Sequence, residues 1–489
     1  MARYLETHRN QYLMLPVHLE QLVDEDHLAK KIWKILNHID LSRFDMDYQN
    51  DEHGAPAYKP INLLAVLIYA YASGLRSSRV IEQHCKDNFA YMYLSEMQKP
   101  DHSTLSRFRT LHREALEEVF VQTVFIGIEL GLIDFKHIAS DGTKIDGAGS
   151  QNKIIQGEKA EYRIEKYRGI VEELLCEAEQ TDEQEKKTKV GKKIKKLDLN
   201  ITRLEAVQKE YESCKTGVEK KDKKLRYHLT ESEARLLKDK DGYHSGYNCQ
   251  TSVDSKNQMI LSHRVTQSEN DSQEGLISRE DLISRYDKDR LSGSVMSFDN
   301  GYHNQELLKM DGADGIELLV SQKQEGKQIG QDDIQGDDFR YLRERDVFIC
   351  PAGKELTFRT EKAMSDGRIL RDYRVNGCAA CPQADHCFKP ETKNKRQKCK
   401  ALDKSKLDLR EMFEAYQSKM KEPVVKKEYK KRMSTVEPVF GHMTFHRKAS
   451  RFHVWGQFKA GMEFSLMCLT HNLVKLLVYG NIDDRLQVT

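Results

Sequence analysis

Near residue 140 the chain puts a charge where a fold can least accommodate one. The segment His137-Ile138-Ala139-Ser140-Asp141-Gly142-Thr143-Lys144-Ile145 is short and rich in β-branched residues, and it reads as a strand with Asp141 near its centre. A carboxylate among buried neighbours costs several kcal/mol unless it is paired or binds a metal. Any fold for this chain must therefore supply Asp141 with a cationic partner.

What precedes this strand is helical in period. Ile61 to Ala72 is nearly all apolar or aromatic, without Gly or Pro, and reads as a buried helix ended by Gly74. Ser77 or Ser78 caps a second helix with Val80, Ile81 and His84 on one face, giving a helix-turn-helix-like pair. Asp101-His102-Ser103 caps a third, in which Leu105, Phe108, Leu111, Leu116, Val119 and Phe120 recur at helical spacing up to Gly131. Arg76, Arg79, Arg107, Arg109 and Arg113 decorate this region. Two readings stand: a DNA-binding helical domain, or an ordinary bundle whose arginines reach outward along their own stems.

After the strand the pattern alternates. Asn248 to Asp254, a turn at Ser255-Lys256-Asn257, and Met259 to Val265 carry a β-hairpin signature. A helical stretch from Gly275 to Tyr286 follows, then Ser294 to Phe298 leads into Asp299, and Ile316 to Val320 gives one more buried strand. This alternation implies a mixed sheet covered by helices. Asp299, followed by the turn Asn300-Gly301-Tyr302, falls at the carboxyl edge of that sheet, where open α/β sheets hold their ligands.

Residues 150–235 interrupt the pattern with a Lys/Glu-rich stretch. Ile164, Tyr167, Val171, Leu174 and Ala178, then Ile194, Leu197, Ile201, Leu204 and Tyr211, have a/d-like spacing, so an antiparallel helical hairpin turning within Gln180 to Val190 is expected. It serves as a solvated spacer or as a contact to DNA or a partner.

At 489 residues the chain exceeds one hydrophobic core, so two or three structural units are expected. No run approaches the length of an apolar membrane span, and the N-terminal Met1-Ala2-Arg3-Tyr4-Leu5-Glu6 does not read as a secretory signal, which places the protein in the cytoplasm, away from membranes. The net charge of +2 hides local crowding of Lys and Arg in 389–406 and 419–448.

Ten cysteines in a cytoplasmic chain argue for thiols or metal ligands and against disulfides. Cys350, Cys378, Cys381 and Cys387 fall close together, and Cys378-Ala379-Ala380-Cys381 is a C-x-x-C pair that can share one tetrahedral ion. A structural Zn²⁺ on four thiolates, with His386 as a substitute ligand, is the expected use; a set of reduced structural cysteines is the alternative. Cys85, Cys176, Cys214, Cys249, Cys399 and Cys468 stand alone.

A third acid, Glu437, lies in Ser434-Thr435-Val436-Glu437-Pro438-Val439-Phe440-Gly441, where Thr435 or Ser434 caps a helix start and Pro438 falls in its first turn, turning the acid toward the sheet. Three carboxylates converging from two strands and a helix can hold two Mg²⁺ or Mn²⁺ ions about 4 Å apart, the arrangement that phosphodiester chemistry uses. Hard oxygen ligands suit these ions better than zinc.

The stretches Ile138-Ala139-Ser140-Asp141-Gly142-Thr143-Lys144, Gly246-Tyr247-Asn248-Cys249-Gln250, Asp299-Asn300-Gly301-Tyr302 and Thr435-Val436-Glu437-Pro438-Val439-Phe440-Gly441 resemble those of bacterial insertion-sequence transposases of the DDE type, with most similarity to the eleven-eighty-two family. The resemblance implies an α/β catalytic core, an RNase H-like mixed sheet flanked by helices, with catalytic Asp141, Asp299 and Glu437 holding two Mg²⁺ or Mn²⁺. It also implies binding of terminal inverted repeats in double-stranded DNA, strand cleavage and strand transfer into target DNA, a homodimer on DNA, and a prokaryotic, nucleoid-associated setting. Tyr429 and Arg432 match part of a Tyr, Arg, Glu, Lys signature of related families. The gap from Arg432 to Glu437 is one residue longer than usual, and Thr444 stands where the lysine falls, which leaves Lys448 or Arg447 for the phosphate. Lys426, Lys427, Lys430, Lys431, Arg432, Arg447, Lys448 and Arg451 are the basic residues expected on DNA phosphates.

On this reading residues 1–132 form an N-terminal all-α DNA-binding domain, 133–149 and 236–335 the catalytic sheet, and 150–235 the inserted helical hairpin. Residues 336–400 form the cysteine-rich zinc insertion, and 401–489 the C-terminal helical part carrying the third acid. Asp254 and Asp271 are replacements if the strand register differs, although Asp254 reads first as a turn residue. Two rival functions remain: an RNase H-like nuclease that cuts but never joins, and a catalytically silent DNA-binding descendant of a transposase.

Overall fold

The computed structural model describes residues 18–46, 57–179, 184–215, 226–238, 242–321, 338–364, 369–388, 397–403 and 410–481. Residues 180–183 of the expected turn segment 180–190 and most of the basic run 389–406 lie outside the described residues. The chain forms two compact units, residues 1–318 with 430–489, and residues 319–429.

The first unit is built on the strand that carries Asp141. That strand, β1 (His137–Asp146), is followed by a short ribbon, β2 (Ile154–Gln156) with β3 (Arg226–His228), and then by β4 (Arg235–Lys238), β5 (Tyr243–Asp254), β6 (Ile260–Thr266), β7 (Val295–Phe298) and β8 (Glu317–Val320). β1 is central, antiparallel to β5 and parallel to β7. The sheet runs β4-β5-β1-β7-β8, and β6 also pairs with β5, so the mixed sheet expected from the alternation is present. Asp254 closes the β5–β6 hairpin as expected: one carboxylate oxygen accepts from Lys256 N (2.9 Å) and the other from Phe135 N (2.9 Å), tying the hairpin to the start of β1.

Helices cover the sheet. The N-terminal region supplies α1 (Leu28–Leu36), α2 (Pro60–Ala72), α3 (Ser78–Asp87), α4 (Phe89–Leu94), α5 (His102–Leu111) and α6 (Arg113–Glu129). Asp101 caps α5 through Thr104 N, as its sequence indicates, whereas Ser77 precedes α3 without a side-chain cap. The single long helix expected from 102 onward is instead two, because His112 leaves helical geometry between α5 and α6. Periodicity alone does not reveal this break, since the apolar phase is nearly kept across it.

The inserted region folds as α7 (Ala160–Glu179) and α8 (Gln184–Lys215), with a small core of Ile155, Ala160, Ile164, Leu204 and Val207. The helix begins at Gln184, so most of the expected turn segment is helical. α9 (Glu274–Tyr286) crosses the sheet, and α10 (Pro423–Gly441) and α11 (Gln457–Tyr479) complete the chain. Contrary to expectation, α10 starts at Pro423, and Pro438 lies well inside it. An internal proline frees the carbonyl four residues earlier. That carbonyl, on Ser434, accepts from Gln258 Nε2 at 3.0 Å, so its hydrogen bond is replaced by one from the β5–β6 turn.

α11 is buried along most of its length and packs on β6, α2 and α6, joining the helical region and the sheet in one core. Glu463, at 0% exposure, sits inside that core. It accepts from Tyr71 OH (3.4 Å) and His453 N (2.8 Å) and faces Arg76 (3.6 Å) and Arg109 (3.9 Å). Burial would raise its pKa, but His453 and the two guanidinium groups hold it below the ordinary value. Arg76 and Arg109 also donate to the backbone oxygens of Arg451 (2.7 Å) and Arg76 (2.9 Å).

The second unit holds a five-stranded antiparallel sheet in the order β13-β12-β11-β10-β9, made of β9 (Arg340–Leu342), β10 (Val347–Ile349), β11 (Glu355–Ala363), β12 (Ile369–Asn376) and β13 (Gln397–Asp403). Its core combines Phe339, Phe348, Leu356 and Tyr373 with Cys378 and Phe388. Asp346 accepts from the hydroxyls of Tyr341 (2.7 Å) and Tyr373 (2.6 Å) and pairs with Arg371.

Two stability measurements follow. Glu463→Ala leaves two buried guanidinium groups without their carboxylate and is expected to cost about 3–5 kcal/mol in denaturant unfolding. A loss below about 1 kcal/mol contradicts the role given to this cluster. Burial pushes Asp254 up to about 6, so the folded state keeps a proton that the unfolded chain releases near pH 4. The resulting stabilisation is complete below about pH 4 and is lost as pH rises through about 6, on the order of 2–3 kcal/mol. Wild type should lose stability relative to Asp254→Asn between pH 4 and pH 7; a pH-independent difference excludes this.

Candidate active site

β1 and β7 run parallel with Ser140 opposite Phe298, so the next residues on the two strands, Asp141 and Asp299, lie side by side where β7 ends, while β1 continues to Asp146 paired with β5. Adjacent strands lie about 4.8 Å apart, which sets the scale of their separation. Asp141 Oδ2 accepts from Arg432 Nη1 of α10 at 2.7 Å, and Oδ1 accepts from Gly142 N at 2.9 Å. Even so, burial pushes the Asp141 carboxyl up to about 6; Arg432 and the Gly142 N–H oppose this shift, and the Asp299 charge adds to it. Desolvation thus outweighs a direct ion pair, as expected of a carboxylate in a low-dielectric site.

Asp299 caps the 3₁₀ turn Asn300–Tyr302 by accepting from Gly301 N. Beside it lies Asp271, from the β6–α9 loop. Its Oδ1 accepts from Asn248 Nδ2 (2.7 Å) and Gln250 Nε2 (2.8 Å), and Gln250 Oε1 accepts in turn from Tyr302 OH. Asn248, Gln250 and Tyr302 are buried. The Tyr302 hydroxyl is raised well above its ordinary range, by burial first and then by the charges of Asp271, Asp141 and Asp299. Asp271 entered the sequence reading only as a replacement acid. The signal for it was the alternation in β5, which puts Asn248 and Gln250 on one face two residues apart.

Glu437 does not face the sheet as its sequence context indicated. The long start of α10 fixes its phase: Thr435, Val436 and Val439 are buried, and Glu437 is exposed, about 140° around the helix from Arg432. Among the described residues no three His, Cys, Asp or Glu side chains are gathered at metal-binding distance. The donor set at β1 and β7 nevertheless fits a hard divalent cation: its groups are carboxylate oxygens, and a cation, the Arg432 guanidinium, already stands on Asp141.

The basic residues divide by burial. Arg76 and Arg109 are core residues of the Glu463 cluster, so the expectation that they meet DNA is corrected: desolvated charges facing a buried carboxylate are not presented to a duplex. Arg79, Arg107 and Arg113 are exposed, Arg113 over the Phe458 ring at 5.3 Å. Lys426, Lys427, Lys430 and Lys431 line the outer side of α10, and Tyr429 is half-buried. Arg447 is buried and its guanidinium is pushed down to about 10 by desolvation, while Lys448 is exposed with a positive φ of 54°. Arg451 donates to the backbone oxygens of Gly147 (3.0 Å) and Gly149 (2.5 Å), bracing the end of β1.

In the second unit Cys350, Cys378, Cys381 and Cys387 line one cavity of about 30 Å³, and all four are thiols. Lys354 N donates to Cys350 Sγ at 3.3 Å, and Cys381 N donates to the Cys378 carbonyl at 3.0 Å, so each cysteine pair member sits in a tight turn. His386 is exposed and does not line the cavity.

Comparison with protein families gives two matches. Residues 17–111, spanning α1 to α5, match a family described as transposase domain (DUF772). Residues 349–477, spanning the four cysteines, Arg432, Glu437 and most of α11, match a family described as transposase DDE domain. A search of curated proteins finds no match. The two transposase-domain matches, which lie in sequence on either side of the strands that carry the paired aspartates, indicate an insertion-sequence DDE transposase family.

Proposed function

We propose that the protein binds the terminal inverted repeats of an insertion sequence and catalyses metal-dependent strand cleavage and strand transfer on an RNase H-like sheet. The observation that carries this reading is the register of β1 and β7, which sets Asp141 and Asp299 side by side where β7 ends. Asp141 and Asp299, with Glu437 as the third acid implied by the resemblance, would hold two Mg²⁺ or Mn²⁺. When bound, such ions neutralise phosphate charge and activate the attacking oxygen.

The chain's own residues do the rest. Arg432 offsets the Asp141 charge in the absence of metal and sits where a phosphate oxygen would approach. Exposed Arg79, Arg107, Arg113 and Lys448, with the lysines of α10, contact DNA phosphates, so affinity falls steeply with salt. A homodimer on DNA holds both ends. Cys350, Cys378, Cys381 and Cys387 hold a structural Zn²⁺; the soft donor set, the shared cavity and the N–H···S contact at Cys350 support this.

Cleavage and joining are measured on DNA ends that carry the inverted repeats flanking the gene, with Mg²⁺. Asp141→Asn and Asp299→Asn should each lower both steps at least about a hundredfold, as loss of a metal-holding carboxylate does. Full activity in either variant overturns its assignment, and cutting without joining in wild type favours a nuclease. Metal analysis of the purified protein should find one zinc per chain, lost in Cys378→Ser/Cys381→Ser. Zinc-free protein with unchanged melting removes the zinc proposal.

A further inference from the structure

We infer that Asp271 is a metal-holding carboxylate of the site formed by Asp141 and Asp299. The inference rests on the proposed metal-dependent reading of that site, and adds a residue from a loop that neither family match covers.

Space is the first argument. Asp141 and Asp299 are each followed closely by a glycine, and Asp271 lies beside both glycines. A Cβ added to Gly142 would stand 3.1 Å from Asp271 Oδ1 and 2.3 Å from Gln250 Nε2. A Cβ added to Gly301 would stand 3.4 Å from Asp271 Oδ2 and 3.0 Å from Asp299 Oδ1. The two carboxylate oxygens therefore lie no further apart than the sum of those distances, about 6.4 Å. Neither glycine has a positive φ, so backbone conformation does not call for glycine at either position; the side chains packed against them do, the amides of Gln250 and Asn248 at Gly142 and the carboxylate of Asp299 at Gly301.

Orientation is the second. Asp271 Oδ1 takes both amide donors, Asn248 Nδ2 and Gln250 Nε2, which leaves Oδ2 as the oxygen directed toward Asp299. Asn248 is fixed further by donating to Ser268 O at 3.3 Å, and Gln250 by the Tyr302 hydroxyl and by donating to Asn248 Oδ1 at 2.9 Å. Two buried amides of β5 thus hold one carboxylate by one oxygen, and Tyr302 fixes one of the two. Outer-shell amides of this kind orient metal ligands while leaving the coordinating oxygen open. A carboxylate needed only as a turn residue would require no such support.

The test is Mn²⁺ binding by the DNA-free protein, followed by the electron paramagnetic resonance signal of free Mn²⁺, with thermal unfolding alongside. Wild type, Asp299→Asn and Asp271→Asn are compared. Asp271→Asn keeps shape and can still accept from the amides through its carbonyl oxygen. It is expected to weaken Mn²⁺ binding at least tenfold, as Asp299→Asn does, with unchanged melting in metal-free buffer. If Asp271→Asn melts lower without metal, Asp271→Glu decides: recovered Mn²⁺ affinity supports the inference, and affinity as low as in Asp271→Asn overturns it. Wild-type affinity in Asp271→Asn with loss in Asp299→Asn overturns the inference and leaves the metal site standing. Wild-type affinity in both variants overturns the metal site itself.

Discussion

The buried carboxylate of Glu463 is the interaction on which the first unit depends. An ionised group without water needs partners, and it draws them from three distant parts of the chain: Tyr71 on α2, Arg76 and Arg109 from the helical region, and His453 from the approach to α11. Arg76 then donates to the carbonyl of Arg451, and Arg451 donates to the carbonyls of Gly147 and Gly149 at the exit of β1. A continuous polar chain thus runs from the first third of α11 to the end of the strand that carries Asp141. The helical region and the mixed sheet share one core as a consequence, and the arginines that would mark a DNA surface are partly consumed in joining them.

At the sheet edge the balance is different. Asp141 and Asp299 are held close by the backbone register, a geometry that repels like charges unless a cation intervenes. Arg432 supplies one positive charge, yet burial still leaves the Asp141 carboxyl raised to about 6. One guanidinium does not neutralise the cluster of Asp141, Asp271 and Asp299, and the residual negative charge is what a divalent ion would satisfy. The same reasoning separates the two metal proposals: oxygen donors and excess negative charge at the sheet, soft sulfur donors in a small apolar cavity in the second unit.

Much of this was legible in the sequence. The strand around Asp141, the hairpin closed by Asp254 and the edge position of Asp299 follow from period-two patterning and turn chemistry, which are local. Local patterning also located the buried helix at Pro60–Ala72 and the cap at Asp101. What it missed depends on long-range partners. Arg76 and Arg109 look like any surface arginines until Glu463, more than 350 residues later, is placed among them. The direction of Glu437 depends on where α10 begins, and the Pro438 signal pointed to a start that the Gln258–Ser434 bond makes unnecessary. Asp271 stood in an unremarkable polar loop, and only the pairing of β5 with β1 shows that Asn248, Gln250 and Gly142 converge on it.

The central claim is that the edge of β1 and β7 is a divalent-metal site. Its most direct test is the anomalous scattering of crystals soaked in Mn²⁺. The account predicts a Mn²⁺ peak within ligand distance of both Asp141 and Asp299. A saturating soak that shows no peak there, with the Arg432–Asp141 pair intact, would contradict it.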